Sequence, residues 1–317
     1  MPLTIYPSAV KRRNASDGSY SDIVPGGIDT VDSAFSTTST NPIQNKVVTE
    51  KLGTATLLTT AQSLAGAINE HETDIVNIRN VAGNYNTAGF HNSLYRGKSL
   101  GSTITADQWS AIGAGTFDDL FIGDYWTINN INWRIAAFDY WYRCGDTECT
   151  THHAVIVPDS SLVSAKMNST NTTTGAYVGS DFYTGNNDNT GKATAKSAAQ
   201  SAFGSSHILT HRQLFPNAVS SGSASGWAWY DSDVDLMNET MVYGTKAWAN
   251  SGYEVGIDKS QLPLFRFDIS KACIRASWWL RDASSSAGFA YVDYYGGADA
   301  HYASYSIGVR PAFGIKA

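Results

Sequence analysis

Between Ala283 and Val309 the chain holds no Lys, Arg, Glu, Gln, Leu, Met, Trp, Pro or Cys. What remains is Tyr, Ser, Asp, Gly, Ala and His, with a few apolar residues. Tyr291, Tyr294, Tyr295, Tyr302 and Tyr305 crowd this window, with Asp293, Asp299 and His301 among them. Such a mixture is suited to recognition. Tyrosine supplies rigid contact area, and Ser, Gly and Asp supply adaptable hydrogen bonds. The candidate contact residues are Ser284, Tyr291, Asp293, Tyr294, Tyr295, Ala300, His301, Tyr302, Tyr305 and Ile307. The tyrosine rings would stack on a sugar face or a protein loop, and Asp293 and His301 would orient the ligand. The plainer alternative is a Gly- and Ser-rich surface hairpin whose tyrosines are incidental.

Other chemistries find less support. Cutting a polysaccharide needs two carboxylates at working separation in a cleft. Asp118, Asp119, Asp139 and Asp231 are available, but no spacing singles out a pair. His207 and His211 stand four apart without an intervening Glu motif, the pattern of packed or surface histidines. The three cysteines are Cys144, Cys149 and Cys273. Cys144 and Cys149 read as free thiols or a hairpin disulfide before they read as a zinc site with His152 and His153. No GxGxxG, P-loop or HExxH motif occurs. No catalytic residue, metal or cofactor is expected.

The window needs elements to hold it. Trp278-Trp279-Leu280-Arg281 precedes it and Gly308-Val309-Arg310-Pro311-Ala312-Phe313 follows it. Paired tryptophans require a core, so both flanks read as framework, with the first on a central strand. Upstream, Tyr125–Ile128 and Ile131–Asp139 alternate around Asn129-Asn130, a hairpin signal. Ala154–Pro158 is a short buried strand. Thr105 caps a short helix with Trp109 and Ile112 inward. Ala193–Phe203 is helical, and residues 159–192 form long irregular loops. Trp227, Trp229, Met237, Met241, Val242 and Tyr243 are assigned to a second part of the core.

A different pattern precedes residue 84. Leu57, Ala61, Leu64, Ile68, His71, Ile75, Ile78 and Ala82 alternate spacings of four and three, an a/d seam longer than three heptads. Ile at both a and d favours trimers or tetramers over dimers, and one chain buries so narrow a stripe poorly. A parallel homotrimer is expected; a helix packed on its own domain is the alternative. His71 lies in the seam, so three imidazoles would meet on the axis, and charging them in acid would weaken the assembly. Residues 1–30 read as irregular, with a solvated Lys11-Arg12-Arg13 cluster and a Pro25-Gly26-Gly27 turn. Asn41-Pro42 starts a short helix through Leu52. With 22 basic against 28 acidic residues and a net charge of −6, the chain lacks a nucleic-acid footprint. No run of about eighteen apolar residues exists, so no membrane insertion is expected, and no signal peptide is read at Met1-Pro2-Leu3-Thr4.

Two stretches carry a resemblance. Ser39-Thr40-Asn41-Pro42-Ile43-Gln44-Asn45-Lys46-Val47-Val48 resembles a segment of phage tail-fibre proteins. Trp278-Trp279-Leu280-Arg281-Asp282, the polar window and Gly308–Phe313 resemble the end of tail-fibre proteins with a C-type-lectin-like domain, some of them similar to variable proteins of diversity-generating retroelements. The resemblance implies an α+β fold: an N-terminal particle-attachment segment at 1–30, a linker helix at 31–53, a trimeric coiled-coil stalk at 54–83, and an irregular C-type-lectin-like domain at 84–317 with a variable region at 283–309. It implies a receptor-binding protein of the virion, made in the bacterial cytoplasm, whose partners are its own copies, tail or baseplate proteins at the N-terminus, and a host-surface protein or glycan. The calcium-dependent sugar triplets of the lectins are absent. Formylglycine-generating enzymes are related, but the three cysteines stand outside their context and that activity is not carried over. A tail-associated polysaccharide hydrolase and a purely structural collar or fibre protein are the alternative functions.

Overall fold

The computed structural model of the chain describes residues 10–13, 20–23, 60, 64–83, 85–174, 191–217, 224, 226–250 and 256–317. Two units are distinguishable, Met1–Ile78 and Arg79–Ala317. Helices and mainly antiparallel sheets occur together, so the fold class is α+β.

In the first unit, β1 (Val10–Arg13) pairs antiparallel with β2 (Tyr20–Ile23), Lys11 opposite Asp22. This corrects the irregular reading of residues 1–30: the order comes from backbone pairing, and neither strand alternates apolar and polar residues strongly enough to announce it. The Asn41-Pro42 helix, Leu57 and Ala61 lie outside the described residues. α1 (Leu64–Ala82) carries the rest of the seam. Along it Ile68, Ile75 and Ile78 are 57%, 50% and 68% exposed, and His71 is exposed as well. Half or more of each isoleucine therefore faces water in a single chain. Gly83 ends the helix with φ +65°, the left-handed stop that glycine adopts without strain.

The second unit opens with α2 (Ala88–His91) and α3 (Ala106–Ala114). Thr105 and Gln108 form a reciprocal capping box at the start of α3, which satisfies two otherwise orphaned amides. β3 (Tyr125–Ile128) and β4 (Ile131–Phe138) follow, joined by Asn129 and Asn130 at φ +54° and +61°. Positive φ at both turn residues matches strand twist, and asparagine tolerates it. Then come β5 (Ala154–Pro158), β6 (Val163–Ala165), α4 (Gly191–Phe203), β7 (His211–Asn217), β8 (Gly226–Ser232), β9 (Val234–Leu236), α5 (Glu239–Tyr243) and α6 (Pro263–Phe267). The chain closes with β10 (Trp278–Ala283), β11 (Gly288–Val292), β12 (Ala298–Tyr302), β13 (Ile307–Val309) and β14 (Pro311–Ile315).

The strands build two five-stranded sheets, ordered β12-β11-β10-β13-β6 and β3-β4-β5-β14-β9, and a β7-β8 ribbon. β10 is central and buried along its whole length, with Trp278 and Trp279 at 0% exposure. Trp227 departs from the sequence expectation. On the two-stranded ribbon it is 46% exposed, because a ribbon offers core on one side only, while Met237, Met241 and Val242 are fully buried as expected.

Two of the chain's passages between the sheets run from β5 to β6 and from β13 to β14. Arg310 stands at the second passage with no exposed surface. Its Nε donates to the Pro158 carbonyl at 2.7 Å and its Nη1 to the Lys271 carbonyl at 2.8 Å. The guanidinium lies 4.9 Å from the Trp278 ring centroid and 5.6 Å from that of Phe265. Burial pushes its pKa down to about 10, so it stays charged at neutral pH. Nearby, Arg134 pairs with Asp159 on the other passage and donates to the Gly123 carbonyl at 2.5 Å.

Two expectations follow. Arg310→Met keeps the volume but leaves two buried carbonyls unpaired, each worth about 1–3 kcal/mol; the urea midpoint, read by tryptophan fluorescence, should fall by a corresponding amount, and an unchanged midpoint would count against this account. All nine tryptophans lie beyond residue 100, so the signal reports this unit. Secondly, burial holds His153 down to about 4, while an unfolded histidine titrates near ~6.5. Between those values the unfolded chain takes up a proton that the folded chain refuses. Stability should therefore fall as pH drops from about 6.5 to about 4, by roughly 3 kcal/mol from this group, and His153→Gln should flatten that part of the profile.

Candidate functional site

Most of the sequence window becomes β11 and β12 at one border of the first sheet, and its end becomes β13 on the other side of β10. β11 pairs with β12 in unbroken register, Phe289 opposite His301, Ala290 opposite Ala300 and Tyr291 opposite Asp299. Opposed residues share a face, so Tyr291, Asp299 and His301 lie on one face. The Tyr291 hydroxyl donates to Asp299 at 2.8 Å. Partial burial, followed by this carboxylate, raises the Tyr291 pKa to about 12, so the phenol remains a donor. Its ring lies 6.3 Å from that of Trp279 on the buried strand.

His301 separates two open grooves. One, of about 310 Å³, includes Ser284, Ser285, Ala300 and Tyr302 in its walls; the other, of about 420 Å³, includes Tyr291, Tyr305 and Ile307. His301 lines both. Its ring packs 3.9 Å from that of Tyr305. The Tyr302 amide donates to His301 Nδ1 at 2.8 Å, which leaves Nε2 of the neutral ring to carry the proton. The Ala300 amide likewise donates to the Asp299 side chain at 2.7 Å.

Asp293, Tyr294 and Tyr295 contribute to neither groove. They form the β11–β12 turn, where Asp293 accepts from the amides of Tyr295 and Gly297, both at 2.8 Å. Gly296 takes φ +90° there, and a Cβ on it would stand 2.9 Å from the Cβ of Cys273. Tyr294 packs edge-on to Tyr295 at 5.2 Å and receives the Arg275 guanidinium at 5.9 Å. Tyr294, Tyr295, Tyr302 and Tyr305 are 47%, 76%, 54% and 52% exposed. The ten candidate residues therefore divide into two grooves that share His301 and one projecting turn.

Support comes from segments that local sequence does not connect to the window. The buried carboxylate of Glu239 accepts from the amides of Ala247, Trp248 and Ala249 at 2.9–3.0 Å. The Glu239 amide in turn donates to Asp282 at 2.6 Å. Trp248, fixed this way, donates through its indole to the Ala298 carbonyl at 3.1 Å. On the other side, Thr173 bonds the carbonyls of Ser285 and Ser286, and Asn171 accepts from the amide and hydroxyl of Ser304. Most of these contacts read the backbone of the window. Beneath β10, Arg281 pairs with Asp258 at 2.5 Å, and Asp258 also accepts from Trp141 at 2.6 Å and from Gln213.

The remaining candidates are engaged elsewhere. Asp119 pairs with Arg96 and Lys98, which holds its pKa below the usual carboxylate range. Asp118 accepts from Thr116, Asp139 from His152, and Asp231 from Arg212. Asp118 and Asp119 share a polar cleft of about 630 Å³ with Asp107. His207 stacks on Trp109 at 4.0 Å and His211 on Trp141 at 4.1 Å, both as packed rings. Cys144 and Cys149 are free thiols, although the Cys149 amide closes the hairpin onto the Cys144 carbonyl at 3.0 Å. Among the described residues, no group of three or more His, Cys, Asp or Glu is arranged to hold a metal ion, and no helix is long and apolar enough to cross a membrane.

Residues 232–317 match the family described as Domain of unknown function (DUF6273). The match begins at the end of β8 and takes in β9–β14, so the window and its Glu239 and Arg310 supports all fall inside it. No curated protein and no solved structure matches the chain.

If Glu239 organises the window through Trp248, Glu239→Gln should weaken three amide contacts at once. Limited proteolysis should then cut within residues 244–250 at least several-fold faster than in the parent chain. Equal cutting rates would remove Glu239 from this role.

Proposed function

We propose that this chain is a phage tail-fibre receptor-binding protein. Residues 1–30 attach it to tail or baseplate proteins, residues 31–53 link, the helix containing α1 trimerises, and the remainder is a C-type-lectin-like scaffold that offers the 283–309 window to a host-cell receptor. The observation that carries this reading is a contrast within one sheet. β10 is buried throughout, whereas β12 and the turns on either side of it carry four tyrosines that are about half exposed or more. Large aromatics at a rim cost solvation unless something covers them, and in recognition surfaces they are the anchors.

The stem supports the same reading. Ile68, Ile75 and Ile78 leave an apolar stripe in water on a single chain, and three copies closing around it would remove that exposure. Trimerisation matters for function as well as stability. Three weak sites on one fibre bind together with an effective strength far above that of each alone. Diversification by a retroelement fits a window held largely through its backbone, because side chains there can change without loss of the supporting bonds.

The test is adsorption to a panel of bacterial strains. The full chain should adsorb to its host strain, and a triple variant with Tyr291→Ala, Tyr294→Ala and Tyr295→Ala should lose adsorption while sedimenting as the same trimer. Adsorption of the variant at the parental rate would sink the recognition role, and a monomeric parent would sink the stem.

A further inference from the structure

We propose that the two grooves on either side of His301 bind consecutive residues of a neutral glycan. This rests on the receptor-binding reading above and narrows it to a ligand class. The argument is an inventory of charge and hydrogen-bonding capacity.

The charged residues between Ala283 and Val309 are Asp293 and Asp299 alone. Both already serve the protein: Asp293 accepts two amides of its own turn, and Asp299 accepts the Tyr291 hydroxyl and the Ala300 amide. No Lys or Arg lines either groove. An anionic ligand would lose hydration and gain no counter-charge in either groove, an unfavourable exchange. A ligand that relies on cationic groups would find those carboxylates engaged.

What the grooves offer is neutral and two-way. Ser284, Ser285 and Tyr302 line the first; Ser164, Ser277 and Tyr305 line the second. Each hydroxyl both donates and accepts, as sugar hydroxyls do. His301 adds a fixed direction, since its Nδ1 is taken by the Tyr302 amide and its Nε2–H is left to donate. The closely packed, tilted His301–Tyr305 pair presents aromatic surface to the polarised C–H groups of a sugar ring. At about 310 and 420 Å³ the grooves sit at the small end of ligand sites, which run from roughly 300 to 1,000 Å³. They suit two linked small rings. A protein partner is less well served. A standard protein interface buries roughly 800 Å² per side around an apolar core, and here the surface between the tyrosines is broken by two hydroxyl-lined clefts.

The experiment uses the full chain and has two arms. In the first, it is passed over immobilised neutral polysaccharides (dextran, mannan, galactan) and anionic ones (alginate, polygalacturonate). In the second, it is added to adsorbing cells pretreated with periodate, which cleaves vicinal diols, or with a broad protease. Periodate should abolish cell binding and protease should not, and any retention should be on neutral polymers. Tyr302→Ala and Tyr305→Ala, one for each groove, should each lower cell binding at least tenfold without moving the melting temperature, and added oligosaccharide from the host envelope should compete with the parent chain. Binding that survives periodate but not protease would overturn the glycan assignment and leave the window as a protein-binding surface. Retention on the anionic polymers alone would overturn it equally. Parental adsorption by the triple variant with Tyr291→Ala, Tyr294→Ala and Tyr295→Ala would instead remove the receptor-binding reading itself.

Discussion

A charged guanidinium without access to water holds the second unit together. Arg310 joins the end of β5, through Pro158, to the segment before β10, through Lys271, while its own backbone carries the chain from one sheet to the other. Its partners are carbonyl oxygens and aromatic faces, and no carboxylate touches it directly. Such an arrangement is unforgiving. A buried cation must find its full set of acceptors, so the relative placement of three distant segments is fixed by one side chain. With both sheets pinned at this crossing, β10 is set between β11 and β13, and the window can extend outward from a rigid base.

Outward from β10 the mode of support changes. Near the core, side chains hold side chains: Arg281 with Asp258, and Trp279 against Tyr291. At the rim, framework side chains mostly hold backbone. Thr173 bonds carbonyls of the 284–287 turn, Trp248 bonds a carbonyl of β12, and Glu239 orders the loop that brings Trp248 there. A surface of this kind keeps its shape while its chemistry changes.

The legible parts of the sequence were those whose signals are local. The Asn129-Asn130 hairpin, the Thr105 helix cap, the buried Ala154–Pro158 strand and the helix ending at Phe203 each announce themselves within about a dozen residues, and each is present. The tyrosine window was visible as composition. Its division into two grooves and a turn was not, because that depends on β11–β12 register and on where Tyr305 folds back against His301. The supports were hidden for the same reason. Nothing near Glu239 says that it will meet amides at 247–249, and nothing near Thr173 points to Ser285 more than a hundred residues away. Residue type alone points Trp227 to the core, but a ribbon with one covered side leaves it partly in water. The β1–β2 pairing leaves little trace in the sequence because strands of four residues with weak alternation carry little signal.

β12 is the last strand of its sheet, and its border is guarded from within. The amide of Ala300 is taken by the Asp299 side chain and that of Tyr302 by the His301 ring, while Trp248 occupies the carbonyl of Ala298. A sheet border with free amides is a template for strand addition by any passing chain. Here the same residues that shape the outer surface also stop the sheet from growing. Variation at 299 or 301 therefore has a hidden cost: a variant with a hydrocarbon at either place would gain a new contact surface and at the same time open a seam along which copies of the chain could clump.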